Sequence, residues 1–362
     1  MDFDLSDTQK ALYSSVRRFF ETEAPPSRLL KIYDRDEGLD RDLWRKSADL
    51  GLAGLIVPEE HGGAGLELLD LAVVTDAMGY CAAPGPLLGH ALVGMALSLG
   101  GSEEQKARWL PRLASGEVVA SLAISEHGER WQPDQWTAVA TAGRLTASKK
   151  NVLFAADADL FLVGLAGGGL ALVEQGAPGL TVREVDGIDR TRRLGALGFV
   201  DTPCELLPEG LAVAERIRDA ALVLLAADAY GGAHRSVELM TNYANERVQF
   251  GRTIGHFQGV KHQIADAAAE VEPARQLVWY AAYTFDHRPD EAPRLAALAK
   301  AHLTDRYVNT TRTMVLLHGG IGYTWEFHCQ FWLKRAMFDR TFLGSPSVHR
   351  ERAAAMADWQ IN

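Results

Sequence analysis

Arg247 is followed by Phe250-Gly251, then by Phe257-Gln258, and about 70 residues further on by Leu317-His318-Gly319-Gly320-Ile321-Gly322-Tyr323. A buried helical hairpin needs the glycine of such a turn but neither the arginine nor the glutamine. An arginine beside a turn rich in free N–H groups suits a phosphate-bearing ligand, because guanidinium pairs bidentately with phosphate oxygens. Gly-Gly-x-Gly at a helix end removes Cβ atoms, so backbone can approach a ligand or a second chain. Each motif also has a purely architectural reading. Arg247 can cap the C-terminal end of its helix, and Gly319 and Gly320 can serve as a helix cap and crossing point.

The composition narrows the classes of ligand. The chain has 362 residues, 47% of them hydrophobic, with a formal net charge of −10. That length supports two or three domains with a large core. No Lys/Arg block stands out, which argues against nucleic acid. Cys81, Cys204 and Cys329 are widely separated and show no metal spacing. They imply neither a disulfide framework nor a metal site, and a reducing cytoplasm is the natural compartment. His127 and His318 have no evident metal-ligand companions. The acidic start, Met1-Asp-Phe-Asp, does not look like a signal peptide. Apolar stretches such as Ala220 to Ala227 are too short to span a bilayer.

The elements that must position these residues read as helices, then strands, then helices. Ser6-x-x-Gln9 and Ser102-x-x-Gln105 are capping-box signatures. Leu12, Val16, Phe19 and Phe20 recur at helical spacing, as do Leu69, Leu71, Ala72, Val74 and Met78. Short apolar runs at Val118–Ile124, Leu160–Leu165, Leu170–Val173 and Leu180–Val182, separated by Gly-rich turns, predict strands. From about Leu211 long helical patterns return. The boundaries drawn from this are an N-terminal helical domain over 1–116, a middle β domain over 117–208 and a C-terminal helical bundle over 209–362. Blocks of strands between blocks of helices argue for separate layers rather than a βαβ fold. Lys149-Lys150 is expected on a solvated strand edge, and Trp131 and Trp136 as surface-packing aromatics.

With Arg247, Phe250, Gln258 and Gly319-Gly320 in this order and spacing, the C-terminal half resembles the acyl-CoA dehydrogenase family. The resemblance extends over nearly the whole chain. Pro58-Glu59-Glu60-His61-Gly62-Gly63 resembles the family's N-terminal-domain turn, and Ser125-Glu126 falls where the family has its first flavin-contacting strand end. Arg193 to Phe199 resembles the segment closing the β domain, and the tail from Phe342 to Arg352 is similar to an actinobacterial-looking branch. The resemblance implies an α fold with a middle β domain and a C-terminal four-helix bundle. It also implies FAD, an acyl-CoA thioester substrate, and homo- or hetero-oligomers, dimers or tetramers, built with an acyl-CoA dehydrogenase-like chain. By that resemblance Arg247, Phe250, Gln258, Gly319, Gly320 and Ser125 are the cofactor-binding residues.

Removing hydrogens from Cα and Cβ of a thioester requires a carboxylate base for the Cα proton, and this is where the sequence departs from the family. The usual Glu precedes a Gly-Thr/Ser turn near the C-terminus; here Leu343 stands before Gly344-Ser345. The less common position, one helix earlier, is Ala221. Asp219 and Glu215 lie nearby on the same predicted helix, so Asp219 is either a displaced base or a solvated residue of the helix's first turn, where the dipole favours it. The Gly-Ser-Asp that usually follows Ser125-Glu126 is absent, Leu153-Phe154 replaces Thr-Asn, and Leu316 replaces Gln. The chain thus keeps what the family donates to a neighbour's flavin and lacks much of what holds its own. Three readings follow. One is a subunit of a heteromer acting on fatty or steroid-derived acyl-CoA. The second is a homo-oligomer with a relocated base, and the third a catalytically silent scaffold.

Overall fold

The structure, a computed structural model, describes residues 4–34 and 38–357; the first three residues of the acidic start lie outside it. Among the described residues six α-helices come first: α1 (Asp7–Glu23), α2 (Pro26–Asp34), α3 (Arg41–Asp49), α4 (Leu68–Tyr80), α5 (Leu87–Gly100) and α6 (Glu103–Ala114). Both predicted capping boxes are present. Ser6 and Ser102 accept from the backbone of Gln9 and Gln105, whose side chains return to the cap N–H groups. Eight strands follow: β1 (Ala120–Ala123), β2 (Val139–Thr141), β3 (Arg144–Leu153), β4 (Leu160–Gly164), β5 (Leu170–Glu174), β6 (Leu180–Val185), β7 (Leu194–Pro203) and β8 (Glu205–Leu206). The chain ends in α7 (Leu211–Glu246), a short hairpin β9 (Val248–Gln249) and β10 (Arg252–Thr253), then α8 (Gln258–Val271), α9 (Arg275–His287), α10 (Ala292–His318), α11 (Cys329–Thr341) and α12 (Pro346–Ala355).

The chain divides into two compact units. One comprises Met1–Asp34, Ala72–Ala83 and Leu222–Asn362, the other Arg35–Leu71 and Pro84–Ala221. The second contains both four-stranded sheets. Their orders are β1-β4-β5-β8, with β1 and β4 parallel, and β2-β3-β7-β6, antiparallel throughout. Leu145, Val152, Phe161, Val173, Leu197 and Phe199 share one buried apolar cluster, which explains why the strands were legible as apolar runs.

Two expectations for this unit are corrected. Lys149 is not on a solvated edge. β3 lies between β2 and β7, and Lys149 is buried with its Nζ 2.6 Å from Glu126. Only Lys150 keeps partial exposure, pairing with Glu129 at 3.3 Å. Trp131 and Trp136 are buried, not superficial. The Trp136 ring lies against Gly164 so closely that a Cβ there would sit 2.6 Å from it.

In the first unit, fully buried Arg335 of α11 pairs with fully buried Asp228 of α7 through two bonds of 2.7 and 2.8 Å, and also donates to the Ala83 carbonyl at 2.9 Å. Trp332 Nε1 donates to the Tyr80 carbonyl at 3.1 Å. These side chains satisfy carbonyls at and beyond the C-terminal end of α4, which its own helix leaves open.

Candidate functional site

The segment after Arg247 is a β-hairpin rather than a plain helix-to-helix turn. Arg247 N donates to Tyr243 O at 2.8 Å, closing α7, and Ile254 N donates to Arg247 O at 2.8 Å, closing the hairpin. Arg252 pairs with Gln249 and Thr253 with Val248, leaving the two-residue loop Phe250-Gly251 with φ of +54° and +79°. Positive φ at both positions is the type I′ pattern, for which Asn-Gly is the favoured pair. A phenylalanine there is strained by about 1–2 kcal/mol. Its ring is 90% exposed and meets Phe257 edge-on at 6.0 Å. Backbone strain at so exposed a residue is of the kind that clusters at ligand clamps and switch regions.

The flanking side chains are equally free. Arg247 and Gln258 are exposed, and neither side chain makes a hydrogen bond or ion pair with any described residue. Gln258 opens α8, whose N-cap Phe257 supplies no side-chain cap, so N–H groups of the first turn remain open to an acceptor. The structure therefore brings Arg247, Phe250 and Gln258 together on one hairpin and its following helix. The same unit holds Gly319, where φ +63° and ψ −142° describe backbone that essentially only glycine adopts. Gly320 is exposed and a Cβ there would meet nothing. Gly322 is required by packing, since a Cβ would sit 2.6 Å from the Val315 carbonyl.

The Leu343-Gly344 turn, which the resemblance sets at the family's usual base position, has a strained backbone. Leu343 has φ +55° and Gly344 φ +97°; a leucine in the left-handed region is an outlier. Leu343 is buried, and fully buried His349 bonds its carbonyl through Nε2 at 2.8 Å. On α7, Ala221 is fully buried. Asp219 is not a solvated first-turn residue: it is buried, and both its oxygens accept from Arg218, at 2.9 and 3.0 Å. Glu215 stands 3.8 Å from the same guanidinium.

Ser125, in the other unit, follows β1. Its carbonyl accepts from Lys150 N at 2.9 Å, while its hydroxyl has no partner among the described residues, so it is available to a ligand. Glu126 is fully committed: Lys149 Nζ at 2.6 Å, Thr137 Oγ1 at 2.7 Å, Thr137 N at 2.9 Å and Ala138 N at 3.2 Å all donate to it. Burial alone would raise the Glu126 pKa, but Lys149 and Thr137 outweigh it and hold the carboxyl below the ordinary glutamate value. Burial lowers the Lys149 pKa, partly offset by Glu126. This pair was not foreseen, because partners 23 residues apart carry no local signature. Phe154 is buried at φ +48°. Among the described residues no three His, Cys, Asp or Glu side chains are placed to hold a metal. No described helix is long and apolar enough to cross a membrane.

Helices, two small sheets and helices again are the element order of an acyl-CoA dehydrogenase-type fold. The chain belongs to the acyl-CoA dehydrogenase family: residues 6–117 match its N-terminal domain and residues 209–357 its C-terminal domain. It is 31% identical over 352 residues to acyl-CoA dehydrogenase IpdE2 of Mycolicibacterium smegmatis, covering 97% of this chain and 99% of that protein. Among solved structures it is similar to a variant of the Tcur3481-Tcur3483 steroid ACAD, with TM-score 0.90, 30% identity and 97% of each chain covered. It is also similar to the ChsE4-ChsE5 complex from Mycobacterium tuberculosis, with TM-score 0.89, 26% identity and 98% of each chain covered.

Proposed function

We propose that this chain is one subunit of a two-chain, FAD-linked acyl-CoA dehydrogenase that introduces an α,β double bond into a bulky CoA thioester. The observation that carries the reading is selective. Arg247, Phe250 and Gln258 stand free on one hairpin, whereas Leu343 and Ala221 occupy both base positions and are buried. FAD fits the hairpin chemically: Arg247 would pair with a pyrophosphate, Phe250 would pack on the ring system and Gln258 would hydrogen-bond near the adenine end. Bound there, FAD would supply the acceptor for the Cβ hydride. The Cα proton requires a carboxylate that this chain lacks at both family positions, so the partner chain supplies it. Asp219 is disfavoured as a relocated base because Arg218 already engages both of its oxygens. The steroid ACAD likeness supports a steroid-derived acyl group, by analogy of fold and sequence.

The test is to purify the chain alone, and co-expressed with a family member that retains the C-terminal Glu. FAD is then measured by absorbance after denaturation. The chain alone is expected to carry little flavin and to turn over straight-chain acyl-CoA at a rate lower by about 10²–10⁴-fold, the usual contribution of a general base. The co-purified complex is expected to be yellow and active. A yellow homo-oligomer of this chain with one tightly held FAD per subunit and robust turnover would overturn the reading.

A further inference from the structure

The buried crossing of α4 and α7 is built from two copies of one tetrapeptide pattern, Asp76-Ala77-Met78-Gly79 and Asp228-Ala229-Tyr230-Gly231. The glycines are used reciprocally. A Cβ on Gly79 would sit 2.1 Å from the Asp228 carbonyl, and one on Gly231 would sit 1.9 Å from the Asp76 carbonyl. Backbone therefore lies on backbone at both points, with no room for even a methyl group between. The two aspartates are not treated alike. Asp228 is fully buried and its charge is met by the Arg335 fork. Asp76 keeps 6% of its surface exposed, and its buried Oδ1 has no hydrogen-bond partner; a Cβ on Gly231 would lie 2.8 Å from that oxygen.

The groups that face Asp76 do not compensate it. Tyr13 and Arg17 approach from α1, Asp228 and Tyr230 from α7, and Arg275 from α9. Arg17 is spent on Tyr80, at 2.5 Å, and on Glu21, at 3.0 Å. Arg275 is spent on Tyr230, at 2.6 Å, and on Glu272, at 3.4 Å. Asp228 repels a second negative charge. Burial is the largest influence on Asp76; Arg275 and Arg17 counter it only in part while Asp228 adds to it, and its pKa is pushed up to about 8.

We propose that the α4–α7 crossing is a proton-operated latch, seated while the Asp76 carboxyl holds its proton and loosened when that proton leaves to water. The sign follows from linkage. A carboxyl whose folded pKa lies above its unfolded value favours folding fully at low pH, and that contribution drains away as pH rises from the unfolded toward the folded value. In urea titrations of the full-length chain, the folding equilibrium constant relative to Asp76→Asn is therefore expected to fall about tenfold per pH unit between about pH 5 and 8. Hydrogen exchange of α4 amides should accelerate over the same range only in the wild type, beyond the intrinsic effect of hydroxide. A third readout needs no variant: the infrared band of a protonated carboxyl should persist at neutral pH, where ordinary carboxylates are ionised. The same pH slope in Asp76→Asn as in the wild type, or no protonated carboxyl at neutral pH in the wild type, overturns the latch.

Discussion

Arg247→Ala separates cofactor chemistry from architecture, because the side chain does nothing for this chain by itself. The guanidinium is exposed and unpartnered among the described residues, and the bonds that close α7 and the hairpin come from the backbone of residue 247, which alanine retains. Folding stability should therefore change by no more than about 0.5 kcal/mol. A charge-assisted hydrogen bond is worth about 1.5–3 kcal/mol, and each 1.4 kcal/mol is tenfold in affinity. Flavin affinity of the two-chain complex should thus fall by about ten- to a hundredfold. Arg247→Lys, which keeps the charge but loses the fork, should lie between. The assay is FAD per complex after dialysis, read by absorbance once the protein is denatured, beside a melting curve of the same sample. Ser125→Ala serves as the internal contrast: if the flavin rests mainly on the partner chain, that variant keeps its FAD. Occupancy in Arg247→Ala equal to wild type, in a complex that does carry FAD, would refute donation by the hairpin and leave it as plain architecture.

Two further perturbations test how the surroundings are held. Lys149→Met leaves the Glu126 carboxylate buried without its cation and should destabilise the β domain by about 3–5 kcal/mol, read from urea unfolding followed by tryptophan fluorescence, since Trp131 and Trp136 are buried in the same unit. Glu126 has a depressed pKa, so its contribution is present above the ordinary glutamate range and is lost as pH falls through the folded value; in the variant the acid unfolding midpoint should move to higher pH, and an unchanged midpoint would count against the ion pair. Phe250→Asn puts the preferred residue into the type I′ loop and should stabilise the hairpin by about 1 kcal/mol while lowering FAD occupancy of the complex. A gain in stability with undiminished flavin would show that the ring is not a cofactor contact.

What was legible in the sequence was local, and what was not depended on partners distant in the chain or on unusual backbone. Ser6 with Gln9 and Ser102 with Gln105 could be read because a capping box closes within four residues. The strands were visible because two packed sheets bury continuous apolar runs. The β9–β10 hairpin was missed because its strands are two residues long and its loop is Phe-Gly rather than Asn-Gly. Lys149 was misplaced because two adjacent lysines look like a solvated edge until Glu126 is brought to one of them. The solvated reading of Asp219 fails because the residue is buried and the preceding Arg218 meets both its oxygens, a spacing at which helical side chains do not ordinarily face each other.

Phe250 and Leu343 sit in two strained turns with opposite surroundings, one exposed and one buried. Both are bulky residues at φ near +55°, and each carries a cost that surrounding structure must over-determine. At Phe250 the strained residue is exposed, and under the proposed function a bound cofactor would offset that strain. At Leu343 the cost buries a leucine, and the reward is internal: His349 holds the carbonyl and the side chain joins the core. A turn kept for catalysis alone would lose its strain once the carboxylate was gone. Here packing and the His349 bond hold the turn; under the proposed two-chain reading the proton-accepting role falls to the partner chain. The two strained turns thus differ in direction, the first out into solvent and the second into this chain's own core. That asymmetry is what a subunit that lends cofactor contacts but not the base would require.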